Sequence, residues 1–178
     1  SNTAQYISLA FDDTLKAYID RAINTLDIAI YSFDATNTGL ISAAINDAYN
    51  RGVQVRIVAD GGNANAGLAN LNPAIPVLLS PTTPFNYYGI MHNKFFVIDA
   101  DHPDATKPVV MSGSTNWSSD QLTVDRNNLV FIQDQSLAKV YEMEFEEMWG
   151  GSGAQPVPAN SKFGPDKQDN TPHEINVA

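Results

Sequence analysis

The chain contains no cysteine among its 178 residues. Disulfides, thiolate metal sites and cysteine nucleophiles are therefore excluded, and apolar packing must hold the core together. A cysteine-free chain is compatible with both the cytoplasm and an oxidising compartment. The first residues lack the basic start and apolar body of a signal peptide, and Ser1-Asn2 is typical of a protease scar. We expect that a native leader has been cut away, which favours a secreted or periplasmic location.

Basic residues are also scarce. Ten Lys and Arg stand against twenty Asp and Glu, so the formal net charge is -10. The basic residues are scattered from Lys16 to Lys167, whereas proteins that hold nucleic acid by its phosphates usually carry a basic stripe. In addition, no apolar run approaches the roughly 20 residues that span a bilayer. The composition therefore predicts neither an extended nucleic-acid surface nor a transmembrane segment.

Strand-like and helix-like segments alternate along the chain, which is typical of an α/β fold. Helical periodicity appears at 15–26, at 38–50 and at 137–148, where Asp134 can cap the helix. The run at 127–134 is apolar on both faces, as a central strand requires. Seven runs have strand-like patterning: 6–11, 27–33, 53–60, 75–80, 90–99, 109–114 and 127–134. We predict an α/β/α sandwich with a mixed, mainly parallel central sheet.

Globular patterning ends at about Trp149. Residues 150–178 hold four of the ten prolines and have no apolar periodicity. We therefore predict a domain over 1–149 and a Pro/Gly-rich linker over 150–178. The alternation in the final "EINVA" suggests that the linker leads to a second domain. The acidic residues just before the linker are interpreted as a solvated helix face: Glu142, Glu144, Glu146 and Glu147.

The stretch "IMHNKFFVID" at 90–99 begins with two chargeable side chains and continues as a buried strand. His92 and Lys94 point to the same face of a strand, and a neutral imidazole beside an ammonium suits an anionic substrate. The alternative is a polar strand entrance with a snorkelling lysine. Asp99 lies about 23 Å further along an extended strand. We expect it to play a structural role, accepting hydrogen bonds from the backbone of the turn at 100–107.

A second polar element, "GSTNWS", follows the next apolar run. Gly113 permits close approach of the backbone, while Ser114 and Asn116 supply neutral hydrogen-bonding groups. Two neighbouring strand ends thus offer His, Lys, Ser and Asn side chains. Such a set predicts a phosphate-binding site that needs no metal and no cofactor.

These two elements carry a resemblance to a known family. "HNKFFVID" matches the His-x-Lys-x4-Asp motif of the phospholipase D superfamily, and "GSTN" matches the Gly-Ser-x-Asn element that follows it there. "DIAIYSF", "AAINDAYNRGVQVRIVAD" and the helix ending in "EMWG" also resemble elements of this family. The resemblance covers about residues 6–149.

The resemblance implies a metal-independent phosphodiesterase that works by two displacements through a phosphohistidine. The motif gives His92, Lys94 and Asp99 as the catalytic set, with His92 as nucleophile or its acid partner and Asp99 as support. Lys94 and Asn116 would bind the nonbridging phosphate oxygens, and Ser114 is a weaker candidate for the same site.

The mechanism needs a second histidine, which one motif does not supply. In the family, either a two-fold dimer places two motifs at its interface, or one long chain carries two motif-bearing halves. We favour a second half for the native protein, and a homodimer stays open.

One position departs from the family pattern. Many relatives have an acidic residue after Gly-Ser-x-Asn that orients the histidine, and Asn127 stands at the matching place here. An amide oxygen still fixes the imidazole tautomer but stabilises an imidazolium less. If the register is shifted by two residues, Asp125 takes this role.

The substrate class stays open at this stage. A phospholipid headgroup or another small diester fits the acidic composition better than long nucleic acid does. The alternatives are an endonuclease of the same superfamily and a catalytically degenerate half-domain that binds or completes a partner.

Three other features have simpler interpretations. His102 and His173 fall in a loop and in the predicted linker, are expected to be solvated, and lack metal-ligand spacing. The segment 61–67, "GGNANAG", is interpreted as a loop and a candidate lid over the site. Three aromatic residues before the histidine strand either stack on a base or sugar or pack a long loop: Phe85, Tyr87 and Tyr88.

Overall fold

The computed structural model describes residues 11–82 and 89–172. Most of the first predicted strand, the aromatic residues Phe85, Tyr87 and Tyr88, and His173 lie outside these ranges. The described strands are β1 (Thr25–Ile30), β2 (Gln54–Ala59), β3 (Val77–Leu79), β4 (Lys94–Ile98), β5 (Val109–Gly113) and β6 (Leu129–Ile132). The described α-helices are α1 (Phe11–Ile19), α2 (Gly39–Asn50), α3 (Ser119–Thr123) and α4 (Gln135–Trp149).

The described strands form one mixed sheet in the order β3-β2-β1-β4-β5-β6. The two pairings between β1, β2 and β3 are parallel, and the three that add β4, β5 and β6 are antiparallel. The predicted α/β fold with a mixed sheet is confirmed, but parallel pairing does not dominate. The physical reason is that β4 and β5 are joined by a short turn over 99–108, and parallel neighbours need a longer crossover.

The helices cover both faces of the sheet, so the predicted α/β/α layering is confirmed. Helices α1 and α2 pack on one face in a cluster that includes Leu15, Ile45 and Phe96. Helix α4 covers the other face, where Phe145 and Trp149 pack with neighbouring strand residues. Asp134 caps α4 as predicted, because its carboxylate accepts a hydrogen bond of 2.7 Å from the backbone N–H of Leu137.

Strand β6 was predicted to be central, but among the strands within 11–82 and 89–172 it lies at an edge of the sheet. Leu129 and Phe131 pack against the core, whereas Val130 and Ile132 are 48% and 38% exposed. An apolar side chain on each face of a strand is therefore not proof of burial on both faces.

The segment 150–172 returns along α4. The indole N–H of Trp149 donates to the carbonyl of Gly153 at 2.8 Å. The backbone N–H of Lys162 donates to the backbone carbonyl of Glu147 at 2.9 Å. Phe163 packs against the cluster under α4. We call this packed segment the strap. That the chain continues through it to a second domain stays a prediction.

The acidic face of α4 was predicted to be solvated, and this is wrong for the residues that meet charged partners. The side chain of Glu142 is 15% exposed and that of Glu147 is 8% exposed. Glu142 lies 3.9 Å from the guanidinium of Arg56, and Glu147 lies 3.9 Å from the ammonium of Lys167 in the strap. The sequence pattern gave no sign that a later segment covers this face.

A buried ion pair joins the central strands to α4 and the strap. Arg56 on β2 donates two hydrogen bonds to the carboxylate of Asp27 on β1, at 2.6 Å and 2.8 Å. The same guanidinium donates to the carbonyls of Ser152 and Gly153 and stacks over the Phe145 ring. The pair therefore depends on the strap for its remaining hydrogen bonds.

Candidate active site

The candidate residues lie at one end of the sheet. Ile30, the last residue of β1, pairs with Lys94, the first residue of β4. Phe95 in turn pairs with Ser112 near the end of β5. Because β4 runs antiparallel to both neighbours, its beginning meets the ends of β1 and β5. This register places the two polar elements found in the sequence side by side.

His92 lies two residues before β4 begins, so the prediction that it is a strand residue is wrong. Its side chain is exposed. Its imidazole and the Tyr31 ring meet in an edge-to-face arrangement, with ring centres 4.6 Å apart. Partial burial and the neighbouring Lys94 ammonium lower the pKa of His92, while the Asp60 carboxylate acts in the opposite direction. The balance favours the neutral imidazole, which is the nucleophilic form of a histidine side chain.

Lys94 is buried beside it. Its ammonium donates a hydrogen bond of 3.0 Å to the carbonyl oxygen of His92 and lies 4.8 Å from the centre of the Tyr31 ring. Burial lowers the pKa of Lys94. His92 and Lys94 line a cavity of about 410 Å³, and His92 also borders a second one of about 150 Å³.

Ser114 and Asn127 bind each other. The Ser114 hydroxyl donates to the Asn127 side-chain oxygen at 3.0 Å and accepts from the backbone N–H of Asn128. The Asn127 amide group lies 3.5 Å from the carbonyl of Gln121. Asn127 thus supports the Gly-Ser-x-Asn element in this structure, instead of bonding the imidazole as the sequence predicts.

Asn116 is buried and its backbone N–H donates to the Gln121 side chain at 2.7 Å. Its side-chain oxygen Oδ1 is also buried, and it has no hydrogen-bond partner among the described residues. A buried polar atom without a partner costs free energy, so Asn116 Oδ1 is a candidate acceptor for a donor outside the described residues. The alternative to Asn127, Asp125, is exposed.

Asp99 lies at the far end of β4 with a positive φ of 54° and is 1% exposed. Its carboxylate accepts hydrogen bonds from three consecutive backbone N–H groups, at 2.9 Å, 2.6 Å and 2.8 Å: Ile23, Asn24 and Thr25. These contacts are of the structural kind that we expect for Asp99. The predicted partner is wrong, because the carboxylate binds the turn before β1 and not the turn at 100–107.

A buried carboxylate that the sequence analysis did not select lies behind His92. Asp60 follows β2 directly and is 1% exposed. Its Oδ2 accepts a hydrogen bond of 2.7 Å from the backbone N–H of Met91, and its Oδ1 accepts from the backbone N–H of Gly62 at 2.9 Å and the Asn63 amide at 3.2 Å. The available signal was an acidic residue at the end of an apolar strand, followed by two glycines.

The segment 61–67 is tied to the ends of the strands, contrary to the interpretation as a lid. The Asn63 amide donates to the carbonyl of Tyr31 at 2.9 Å. Asn65 is buried, donates to the carbonyl of Asp60 at 2.7 Å and accepts from the backbone N–H of Phe33 at 2.8 Å. The asparagines therefore hold the base of the site together.

Two further residues of the cavities were also missed. Glu144 on α4 borders both cavities next to His92, and Lys167 on the strap borders the smaller one. The Lys167 ammonium forms an ion pair with Glu144. The other described histidine, His102, accepts a hydrogen bond of 3.0 Å from the backbone of Asp104 in the turn after β4. That turn lies at the end of β4 opposite to His92.

The described residues include neither a cluster of metal-ligand side chains nor a membrane-spanning helix. Within 11–82 and 89–172, no three His, Asp or Glu side chains are grouped so that they could hold a metal ion. The helices in the same ranges include none that is long and apolar enough to cross a membrane.

Comparison with known proteins gives consistent matches. The family model described as "Cardiolipin synthase, PLD-like domain" matches residues 15–149. The mitochondrial cardiolipin hydrolase of Drosophila melanogaster is 31% identical over 150 residues, which cover 74% of this chain and 55% of the relative. That of Xenopus tropicalis is 28% identical, covering 84% and 64%. The chain thus spans less than two thirds of the length of these curated relatives.

Two solved structures share the fold. NucT from Helicobacter pylori superposes with a TM-score of 0.60 at 26% identity, covering 76% of this chain and 85% of that one. Nuc from Salmonella typhimurium, described as a phospholipase D family member, superposes with a TM-score of 0.61 at 26% identity, covering 77% of this chain and 85% of that one.

Proposed function

Because the chain belongs to the phospholipase D superfamily, whose PLD-like domain model matches residues 15–149, we propose that it is a metal-independent phosphodiesterase acting through a phosphohistidine. The observation that carries the proposal is the arrangement of His92 and Lys94 around the Tyr31 ring, at the wall of a cavity of about 410 Å³. A neutral imidazole and a buried ammonium on one cavity wall suit attack on an anionic phosphorus centre.

In the first displacement, an imidazole nitrogen of His92 attacks phosphorus. The P–N bond forms, the P–O bond to the leaving alcohol breaks, and the leaving oxygen takes a proton from a second, protonated histidine. Lys94 and the side-chain N–H groups of Asn116 donate hydrogen bonds to the nonbridging oxygens, where negative charge builds in the transition state. In the second displacement, water attacks phosphorus, gives its proton to the second histidine, and the P–N bond breaks.

The second histidine comes from outside the described part of this chain. His102 lies at the opposite end of β4, too far along the strand to reach the phosphate at His92. We propose that the acid is the equivalent histidine of a second motif-bearing half, or His92 of a second copy in a two-fold dimer.

We propose a phospholipid headgroup diester as the substrate. Two features support this: the curated relatives described above are named cardiolipin hydrolases, and the net charge of -10 disfavours a long polyanion. Nucleic acid is the second candidate, since a local site within an acidic protein can still bind one phosphate. A degenerate half-domain would bind the diester without cleaving it.

Hydrolysis of a chromogenic diester, bis(4-nitrophenyl) phosphate, in excess EDTA tests the reaction class. We expect the chain, as a two-fold dimer or joined to its second motif-bearing half, to release nitrophenolate. His92→Ala should be inactive, and His102→Ala should keep full activity as a matched control. Loss of activity in EDTA, or activity unchanged in His92→Ala, would refute the mechanism.

The same three proteins, given cardiolipin vesicles and single-stranded DNA in parallel, test the substrate class. We expect cleavage of the lipid that depends on His92. Cleavage of DNA alone would replace the lipid proposal by the nuclease alternative, and binding without cleavage of either would support the degenerate one.

A further inference from the structure

We propose that Asp60 is a positioning residue for His92: its buried carboxylate holds the backbone before His92 and the Tyr31 wall in one arrangement. The catalytic meaning of this inference rests on the proposed function, whereas its structural part does not. Asp60 lies outside the two motif elements, 92–99 and 113–116, and is the last residue of the family-like element "AAINDAYNRGVQVRIVAD".

The first step is the contact between Asp60 and the chain segment that bears the imidazole. Asp60 Oδ2 accepts the backbone N–H of Met91 at 2.7 Å, a short charge-assisted hydrogen bond one residue before His92. His92 precedes the first residue of β4, so no strand pairing fixes its own backbone. The bond from Met91 to Asp60 therefore supplies the restraint that the sheet does not.

The second step is the link to the Tyr31 ring. The Asn63 amide donates to Asp60 Oδ1 at 3.2 Å and to the Tyr31 carbonyl at 2.9 Å. The Asp60 carboxylate is thus linked to the backbone before His92, through Met91, and to the backbone of Tyr31, through Asn63. These two backbones carry the two rings that are in contact. Displacing either backbone would change the 4.6 Å separation of the two rings.

The third step is the charge. Asp60 is 1% exposed and makes no ion pair within 11–82 and 89–172, so hydrogen bonds alone satisfy its carboxylate. Ser80 contributes by donating towards Oδ2 at 3.5 Å. An unpaired negative charge so close to His92 favours the imidazolium and opposes the effect of Lys94.

The other groups around His92 come from separate elements. The Tyr31 ring, after β1, contacts the His92 imidazole, and the Lys94 ammonium on β4 donates to the His92 carbonyl oxygen. Glu144 on α4 and Lys167 on the strap border the cavity that His92 shares with them, and they are ion-paired with each other. Asp60 is therefore the buried anion whose removal most directly alters the charge at His92.

An NMR titration of His92 in the full chain, with and without Asp60→Asn, tests the charge effect. The chain holds three histidines, so the imidazole signals can be assigned by substitution. We expect the pKa of His92 to fall in Asp60→Asn, because the substitution removes the anion that raises it. Asp99→Asn is the matched control: it neutralises another buried, hydrogen-bonded aspartate at the far end of β4, and it should leave the His92 titration unchanged.

Kinetics with bis(4-nitrophenyl) phosphate test the positioning effect. We expect Asp60→Asn to lower kcat about 100-fold with little change in KM, and to shift the acid limb of the pH profile to lower pH. Asn63→Ala keeps the charge but cuts the link to Tyr31, so kcat should fall without a fall in the pKa of His92. This second variant keeps the test decisive if Asp60→Asn fails to fold.

The two possible failures are distinguishable. An unchanged His92 pKa and kcat in folded Asp60→Asn, or an unchanged kcat in Asn63→Ala, would overturn the inference while the wild-type chain still cleaves the diester. If the wild-type chain cleaves no diester either as a dimer or joined to its second motif-bearing half, the proposed function fails, and the titration alone decides whether Asp60 controls His92.

Discussion

The ammonium of Lys94 lies 4.8 Å from the centre of the Tyr31 ring. The same ring meets the imidazole of His92 in an edge-to-face arrangement, so one aromatic side chain contacts both candidate catalytic groups. A cation over an aromatic face gains about 2 kcal/mol when it is desolvated, which offsets part of the cost of burying the ammonium.

Replacing Tyr31 separates this packing role from any role of its hydroxyl. We expect Tyr31→Leu to lower kcat/KM for bis(4-nitrophenyl) phosphate by about tenfold, because the two groups lose their common wall. Tyr31→Phe keeps the ring and should retain nearly full activity. Equal losses in the two variants would contradict the packing role.

Asp99 is expected to act on stability. Asp99→Asn replaces a carboxylate that accepts three backbone N–H groups before β1. We expect the free energy of unfolding to fall by about 2 to 4 kcal/mol, since buried donors lose a charged partner. Urea denaturation measures this, with Asp101→Asn as the control because that side chain is 79% exposed. A loss as small as that of the control would contradict the assignment.

Removing one partner of the Asp27–Arg56 pair should destabilise the fold more than removing both partners. Arg56→Met leaves a buried carboxylate without its partner and should cost about 3 to 5 kcal/mol. The double variant Asp27→Leu/Arg56→Met removes both charges and should lose clearly less than Arg56→Met alone. A double variant less stable than either single one would show that the pair itself stabilises the fold.

The raised pKa of Glu142 should make the free energy of unfolding depend on pH. Burial, and then repulsion from Asp27 and Asp101, raise the pKa of Glu142 from 4.5 to about 7, despite the attraction of Arg56. Between these values the folded chain binds more protons than the unfolded chain, so stability falls as pH rises through this range. The urea midpoint should therefore be higher at the lower end of the range. Glu142→Gln should flatten this dependence, and an equally steep dependence in that variant would contradict the cause.

The layered α/β fold was predictable because strand and helix periodicities alternate clearly along the chain. The pairing directions were not, because the short turn between Ile98 and Val109 forces an antiparallel pair that apolar patterning does not reveal. The exposure of Val130 and Ile132 was also missed, because an apolar strand pattern is the same at the centre of a sheet and at its edge. An apolar pattern does not say whether another strand follows.

The site was predictable as far as it lies in short sequence elements. The register of β4 brings His92 and Lys94 to the same cavity wall as expected, although His92 precedes the strand. The contacts of Asp60 were not predictable, since they join residues 31 positions apart and depend on tertiary pairing. The strap was missed as a cavity wall because its proline-rich composition indicates a linker.

Trapping the covalent intermediate tests the central claim most directly. The chain is mixed with bis(4-nitrophenyl) phosphate, quenched with alkali within the first turnovers, digested and analysed by mass spectrometry. We predict a nitrophenylphosphoryl group on the peptide that contains His92, absent from His92→Ala and present in His102→Ala. Nitrophenolate release with no adduct on His92, or an adduct on another residue, would contradict the account.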